Sequence, residues 1–186
     1  EYGIYSIKSK IDAENMVMNN CGKADLAIFG GGEANLTHCT LANYWYQSSA
    51  SPALGIYATN KWRNNSGNTE NANLELNIRN SIVYGKKENS ISFEPVSGYN
   101  FNYLISHSLI KYSNKAGYNF DTNPQIISSI KNENPKFLNH AIAKMNLRTA
   151  NDSPAKNKGN TSTAASVPQD IKGVSRTSNP TIGAYQ

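Results

Sequence analysis

Short apolar runs separated by turn residues recur through the first two thirds of the chain, and they recur in pairs. The first members are residues 3–7, 26–29, 54–58 and 90–93, and the second are 13–17, 36–41, 76–83 and 104–110. Side chains that alternate with a period of two make strands the predicted elements. Aligned on their second members, the copies place Asn15, Cys39, Asn80 and His107 in one column. Val17, Leu41, Ile82 and Leu109 fall in the next, inward-facing one. The shortest spacing is about 24 residues, and the longer copies fit a repeat whose turns accept insertions.

A strand pair of this size cannot enclose a core alone. Stacked copies can, because each covers its neighbour's edges while its inward side chains line a shared interior. The expected fold is therefore all-β, a parallel stack of coils with backbone bonds running from coil to coil. The alternative, an antiparallel sandwich, would join neighbouring strands through Asn-Gly or Asp-Gly hairpins, and neither dipeptide occurs. The coils are expected over residues 1–133 with an insertion at about 44–73. That insertion carries Tyr44-Trp45-Tyr46, a further strand, and the polar run 64–71. A polar excursion of that length from a regular stack is a candidate for function.

Composition changes this picture little. Asn makes up roughly one residue in seven, and Leu, Ile, Val and Phe about a fifth. Asn and Ser compete for their own backbone and disfavour long helices, while Asn suits left-handed corners and stacked amide ladders. No apolar run approaches the roughly 20 residues of a membrane span, so no transmembrane segment is expected. The net charge of +5 is dispersed, without a Lys/Arg run or a nucleic-acid motif, so nucleic acid is not an expected partner. Cys21 and Cys39 make no disulfide framework and are expected to be reduced and packed as small apolar groups. Because residues 1–5 already read as a strand, upstream coils and an export signal are expected in a longer polypeptide.

After about Asn132 the pattern turns into turn-rich segments: Asn134-Pro135-Lys136-Phe137, Leu147-Arg148, Ser153-Pro154-Ala155, Asp170-Ile171-Lys172-Gly173-Val174-Ser175-Arg176, and Ile182-Gly183-Ala184-Tyr185-Gln186. An open stack needs something over its last rung. Residues 134–186 are therefore expected to form an irregular C-terminal cap, with Phe137, Leu147, Ile171, Ile182 and Tyr185 as plugs and Asp170 with Arg176 as a clasp. About fifty residues of this segment resemble, motif by motif, the C-terminal region of bacterial right-handed parallel β-helix proteins of the pectin-lyase-like superfamily. Within it they resemble in particular the cell-surface and secreted group sometimes labelled choice-of-anchor Q. Gln186 departs from that group's terminal Glu, and Lys156 stands where Ile or Leu is common. The resemblance implies a single-stranded right-handed parallel β-helix and an extracellular or cell-surface location, but names no reaction.

The chemistry legible in the residues is sparse. Asp12, Glu14, Asp25, Glu33, Glu70, Glu75, Glu88 and Glu94 are scattered, with no Asp-Asp or Asp-x-Asp cluster for calcium or a hydrolase pair. Arg79 near Lys111 could meet an acidic sugar, though a solvated basic side chain is the plainer reading. His38 and His107 read as stacked or partly buried turn residues rather than bases, and His140, in the cap region, has no partner at metal-ligand spacing. Gly30-Gly31-Gly32 lacks the Lys-Ser or Lys-Thr of a phosphate loop and reads as a corner. No metal, cofactor or catalytic set is expected. Tyr44, Trp45, Tyr46, Tyr57 and Trp62 form the densest aromatic group, flanked by Lys61 and Arg63. Aromatic planes with polar edges stack on sugars, so these seven residues are the candidate site for a polysaccharide or cell-surface glycan. A polysaccharide lyase with its main site upstream, and a structural spacer, are the rival readings.

Overall fold

The computed structural model describes residues 1–47, 51–114 and 120–186. Along the chain the first strands are β1 (Tyr2–Glu14), β2 (Val17–Asn19), β3 (Ala24–Thr37), β4 (Thr40–Asn43) and β5 (Leu54–Thr59). Next come β6 (Lys61–Arg63), β7 (Thr69–Asn71), β8 (Leu74–Arg79), β9 (Ile82–Gly85) and β10 (Ile91–Glu94). The last of the stack are β11 (Phe101–Ser106), β12 (Leu109–Ile110), β13 (Ile126–Ile127) and β14 (Ile130–Lys131). The protein is mostly β, with parallel strands in a curled sheet. Its chain alternates between two parallel sheets, one ordered β10-β5-β3-β8-β11-β13 with β1 against β3, the other β14-β12-β9-β4-β2.

Each of the first four passes contributes three segments where the repeat pattern predicts two. β1 and β3 are long because each runs through a corner, and they pair from Tyr2 opposite Ala24 to Glu14 opposite Thr37, with a register shift between Ile7 and Ser9. Beyond β3 the two halves separate: β5 continues from its first half and β8 from its second. The corner in β3 is Gly30-Gly31-Gly32, all at positive φ. A Cβ on Gly31 would lie 2.4 Å from the Asn73 carbonyl oxygen, so only glycine lets the next pass approach this closely.

A second corner, between the larger sheet and the smaller, is left-handed in every pass. Asn15, His38, Asn80, His107 and Ser128 all have φ between 47° and 53°. The sequence alignment put Cys39 in this column; the structure gives the place to His38. Cys39 belongs to the following column, with Ser81, Ser108 and Ser129, where the backbone amides of Cys39, Ser81 and Ser108 each donate to the serine hydroxyl of the next pass at 2.9–3.1 Å. Each of these bonds fills a backbone donor that the sharp turn would otherwise leave without a partner.

The same one-residue shift corrects the inward column. Val17, Thr40, Ile82, Leu109 and Ile130 lie opposite one another, and Ile82 and Leu109 belong to an apolar cluster outside the shared interior. Leu41, Val83 and Ile110 are the side chains of this sheet that point inward, with Met18 half-buried beside them. They meet Leu26, Ile28, Leu36, Ile56, Leu76, Ile78 and Ile105 from the larger sheet in one buried cluster. Each such side chain contributes about 1.5–3 kcal/mol on burial, and none of the passes could shield them by itself.

Residues 134–186 were expected to close the end of this interior, and they lie elsewhere. β15 (Phe137–Asn139) pairs antiparallel with β16 (Asn146–Thr149), and a short helix α1 (Thr161–Ser166) follows, its N-cap Asn160 accepting from the Thr163 amide. Phe137, Leu147, Ala155 and Ile182 pack on Ala42, Ile82 and Leu109, with Val17, Ile130 and Tyr185 at the margins. That set touches every pass, so the tail is a plate along the outer face of the smaller sheet. Ile171, expected as a plug, is 47% exposed. The last pass is filled by aromatic side chains instead: Phe120 lies 4.8 Å from Tyr112 and 6.0 Å from Phe93, ring centre to ring centre.

Asp170 and Arg176 do not form the expected direct clasp. Asp170 accepts from the amides of Lys172, Val174 and Gln186. Arg176, 1% exposed, reaches back across the sequence to His38 and Gly183. Cys21 and Cys39 are both free, and Cys39 is buried.

Candidate functional site

Side chains at alternate positions of β1, β3 and β5 point away from the interior, and here they are aromatic. Tyr5, Phe29 and Tyr57 form a stripe across three rungs, with ring centres 4.8 Å and 5.2 Å apart and planes tilted by 38° and 44°. Tyr2 extends it, 5.3 Å from Tyr5. Ala27 is the register partner of both Tyr5 and Tyr57, so Phe29, two residues further along β3, meets each of them diagonally, and tilted, offset rings at these distances attract through their quadrupoles. Tyr57 is anchored: its hydroxyl donates to Glu94 Oε2 at 2.7 Å. Burial first, and then Glu94, pushes its phenol well above the usual range, so it stays protonated.

The hairpin β6–β7 leaves the stack between β5 and β8 and stands beside this stripe. It is pinned from several sides. Lys8 of β1 pairs with Glu70, the Asn60 side-chain amide donates to the Ala72 and Asn100 carbonyls, and Trp62 packs close over Gly30. Lys8, followed by Asn64, holds Glu70 below the usual carboxylate range. Arg63 Nε donates to Gly67 O at 2.9 Å, which fixes the guanidinium at the hairpin tip.

Two clefts meet on the stripe. One, of about 320 Å³, is walled by Tyr5, Phe29, Tyr57, Trp62, Arg63 and Glu94. The other, of about 310 Å³, lies between Tyr2, Lys23, Leu54 and Pro52 and shares Phe29, Tyr57 and Glu94 with the first. Of the seven residues expected to form a site, Tyr57, Lys61, Trp62 and Arg63 therefore converge.

Tyr44, Trp45 and Tyr46 are placed apart from them. Tyr44 packs under the tail, stacked 4.3 Å from His140 and edge-on to Phe137. Trp45 lies against Gly22. Tyr46 is 61% exposed with the Lys86 ammonium over its ring. The expected single insertion is two separate ones, either side of β5, and they emerge at different corners. Tyr5, Phe29 and Glu94 were missed because they come from three passes distant in sequence. An aromatic residue at an outward position of the first three first-member strands, Tyr5, Phe29 and Tyr57, is the signal that could have found the stripe.

A second polar arrangement emerges only from the register. Lys10, Glu33 and Glu75 stand in one column on β1, β3 and β8, and Asp12, Asn35 and Asn77 in the next but one. Asn77 Nδ2 donates to Asn35 Oδ1 at 3.0 Å, and Asn35 Nδ2 to Asp12 at 2.7 Å and Glu33 at 2.8 Å. Lys10 Nζ lies 3.2 Å from Glu33. Asn35, followed by Lys10, holds Glu33 below its ordinary range, and Glu33 in turn raises Lys10. Carboxylates scattered in sequence are thus neighbours in space. Even so, an acid held ionised is a poor proton donor to a leaving oxygen, and an ammonium held protonated is a poor base. Among the described residues no group of three or more His, Cys, Asp or Glu is arranged to hold a metal ion.

Lys111 is engaged within the fold. The Lys111 ammonium donates to the Gly85 and Lys86 carbonyls and sits over Tyr84. His38 is fully buried. No protein-family model, curated protein or solved structure matches the chain.

Proposed function

We propose that the passes wind into a right-handed parallel β-helix whose outer wall binds a glycan without chemistry, at a cell surface or outside the cell. The parallel register of both sheets supports the winding, and the resemblance of the tail supports the hand and the location. One observation carries the binding reading: the ordered stripe of Tyr5, Phe29 and Tyr57, with Trp62 and Arg63 rising beside it. Aromatic faces give a sugar ring apolar contact, and the Tyr57 hydroxyl, Glu94 and Arg63 supply polar edges for its hydroxyls. Rigid rungs hold these groups before any ligand arrives, which lowers the ordering cost of binding.

The test uses the Trp45→Phe protein, in which Trp62 is the sole indole. Titration with a panel of neutral and acidic oligosaccharides should change its emission for at least one glycan, and Tyr57→Ala in the same background should abolish the change. An unresponsive Trp62 across the panel would sink the reading.

A further inference from the structure

A cleft of about 760 Å³ opens on the other side of the molecule, where the tail plate meets β2. Three cations, Lys144, Arg148 and Lys172, line it together with Asn19, Asn146 and Tyr185. No carboxylate is among the described residues of its wall, and among the described residues none of the three cations has an ion-pair partner. The nearest acid in sequence is Asp170, whose two oxygens are already taken by the amides of Lys172, Val174 and Gln186. Arg148 is aimed: Asn146 Oδ1 accepts from its Nε at 3.1 Å, which leaves both terminal nitrogens of the guanidinium for a ligand.

We infer that this cleft is an anion site that takes the charged groups of an acidic polysaccharide. Three cations lining one cleft, with no carboxylate among the described residues of its wall, give it a positive potential that attracts an anionic ligand. An arginine with a fixed fork recognises a carboxylate or sulfate in bidentate fashion. The Asn19 amide and the Tyr185 hydroxyl provide both donors and acceptors, and Asn146, whose Oδ1 is engaged by Arg148, adds its N–H donors, as sugar hydroxyls require. A single-stranded nucleic acid would need successive aromatic platforms for its bases, and Tyr185 is the only aromatic side chain among the described residues of this wall. The site lies on elements that the aromatic stripe does not use, and it stands independently of that reading.

The probes are dextran sulfate, hyaluronan, neutral dextran and an oligo-dT strand, each titrated calorimetrically into the full chain at low and moderate salt. Dextran sulfate or hyaluronan should bind, more weakly as salt rises, and neutral dextran should not bind at this cleft; the two polyanions separate sulfate from carboxylate as the preferred group. Arg148→Gln with Lys172→Gln should weaken that binding by about tenfold. The charge-matched control Lys86→Gln with Lys158→Gln should change it by less than about twofold. All four side chains are exposed, so the thermal midpoints of both variants should stay near the parent's. Absence of polyanion binding, equal losses in the two double variants, or tighter binding of oligo-dT would each overturn the assignment. Loss of the Trp62 response with retention of polyanion binding would remove the stripe and leave this site intact.

Discussion

Arg176 Nε donates to Nδ1 of His38 at 3.0 Å, joining residues 138 positions apart in a fully buried contact. Arg176 Nη2 also donates to Gly183 O at 2.9 Å, and Asn80 Nδ2 lies 3.0 Å from the other ring nitrogen of His38. The contact fastens the tail plate to the left-handed corner of the second and third passes. Arg176→Met should remove donors from both acceptors and lower stability by about 3 kcal/mol. Limited proteolysis should then clip residues 150–186 ahead of the stack; a plate that stays protected would show that apolar packing alone holds it.

His38 and Asp25 are buried titratable groups with opposed effects on acid stability. Burial, followed by Arg176, lowers His38 from 6.5 to about 4. Between those values only the unfolded chain takes the proton, so this term makes stability rise with pH. Burial raises Asp25 from 3.8 to about 7. Over that range the folded chain holds the extra proton, so this term makes stability fall as pH rises. Each slope is about 1.4 kcal/mol per pH unit, and the two oppose one another from about pH 4 to 6.5. Asp25→Asn should leave the His38 term uncompensated: the melting temperature should climb across that window more steeply than the parent's and exceed it at pH 8. Parallel curves for the two proteins would refute the assignment.

Gly31 has a φ of 88° and carbonyl oxygens of Ala72 and Asn73 within 2.5 Å of any added Cβ. Gly31→Ala should cost about 1–3 kcal/mol and displace the base of the β6–β7 hairpin. Both effects are read together, as a lower denaturation midpoint and an altered Trp62 emission in the absence of ligand.

Tyr57 combines stacking on Phe29 with a hydrogen bond to Glu94. Tyr57→Phe keeps the ring and should reduce glycan affinity about threefold, whereas Tyr57→Ala should lower it tenfold or more, on the order of one to two stacking contacts. Equal losses would place the recognition in the hydroxyl rather than the plane.

Phe120 is 2% exposed and closes the interior at the last pass beside Tyr103 and Tyr112. Phe120→Ala should cost about 3 kcal/mol or more through the cavity it leaves. A chemical denaturation midpoint near the parent's would mean that the aromatic cluster collapses around the gap.

The chain by itself determined the elements and their stacking. Period-two runs with no hairpin dipeptides led to parallel strands, and the first-member runs at 26–29, 54–58 and 90–93 do fall on neighbouring strands of one sheet. It determined the Gly30-Gly31-Gly32 corner for the same local reason, the freedom of glycine at positive φ. A shift of one residue lay beyond it: His38 and Cys39 are equally plausible neighbours of a short apolar run, and only the left-handed backbone shared with Asn15, Asn80 and His107 separates them. That single step turned Ile82 and Leu109 outward and gave the tail a face to cover. The aromatic stripe, the Asp12–Asn35–Asn77 ladder and the cations beside β2 were likewise decided in three dimensions. The stripe and the ladder are made by residues from different passes, and the register that brings them together depends on insertion lengths and corner geometry; the cations come from tail segments that meet only once the plate lies on the smaller sheet.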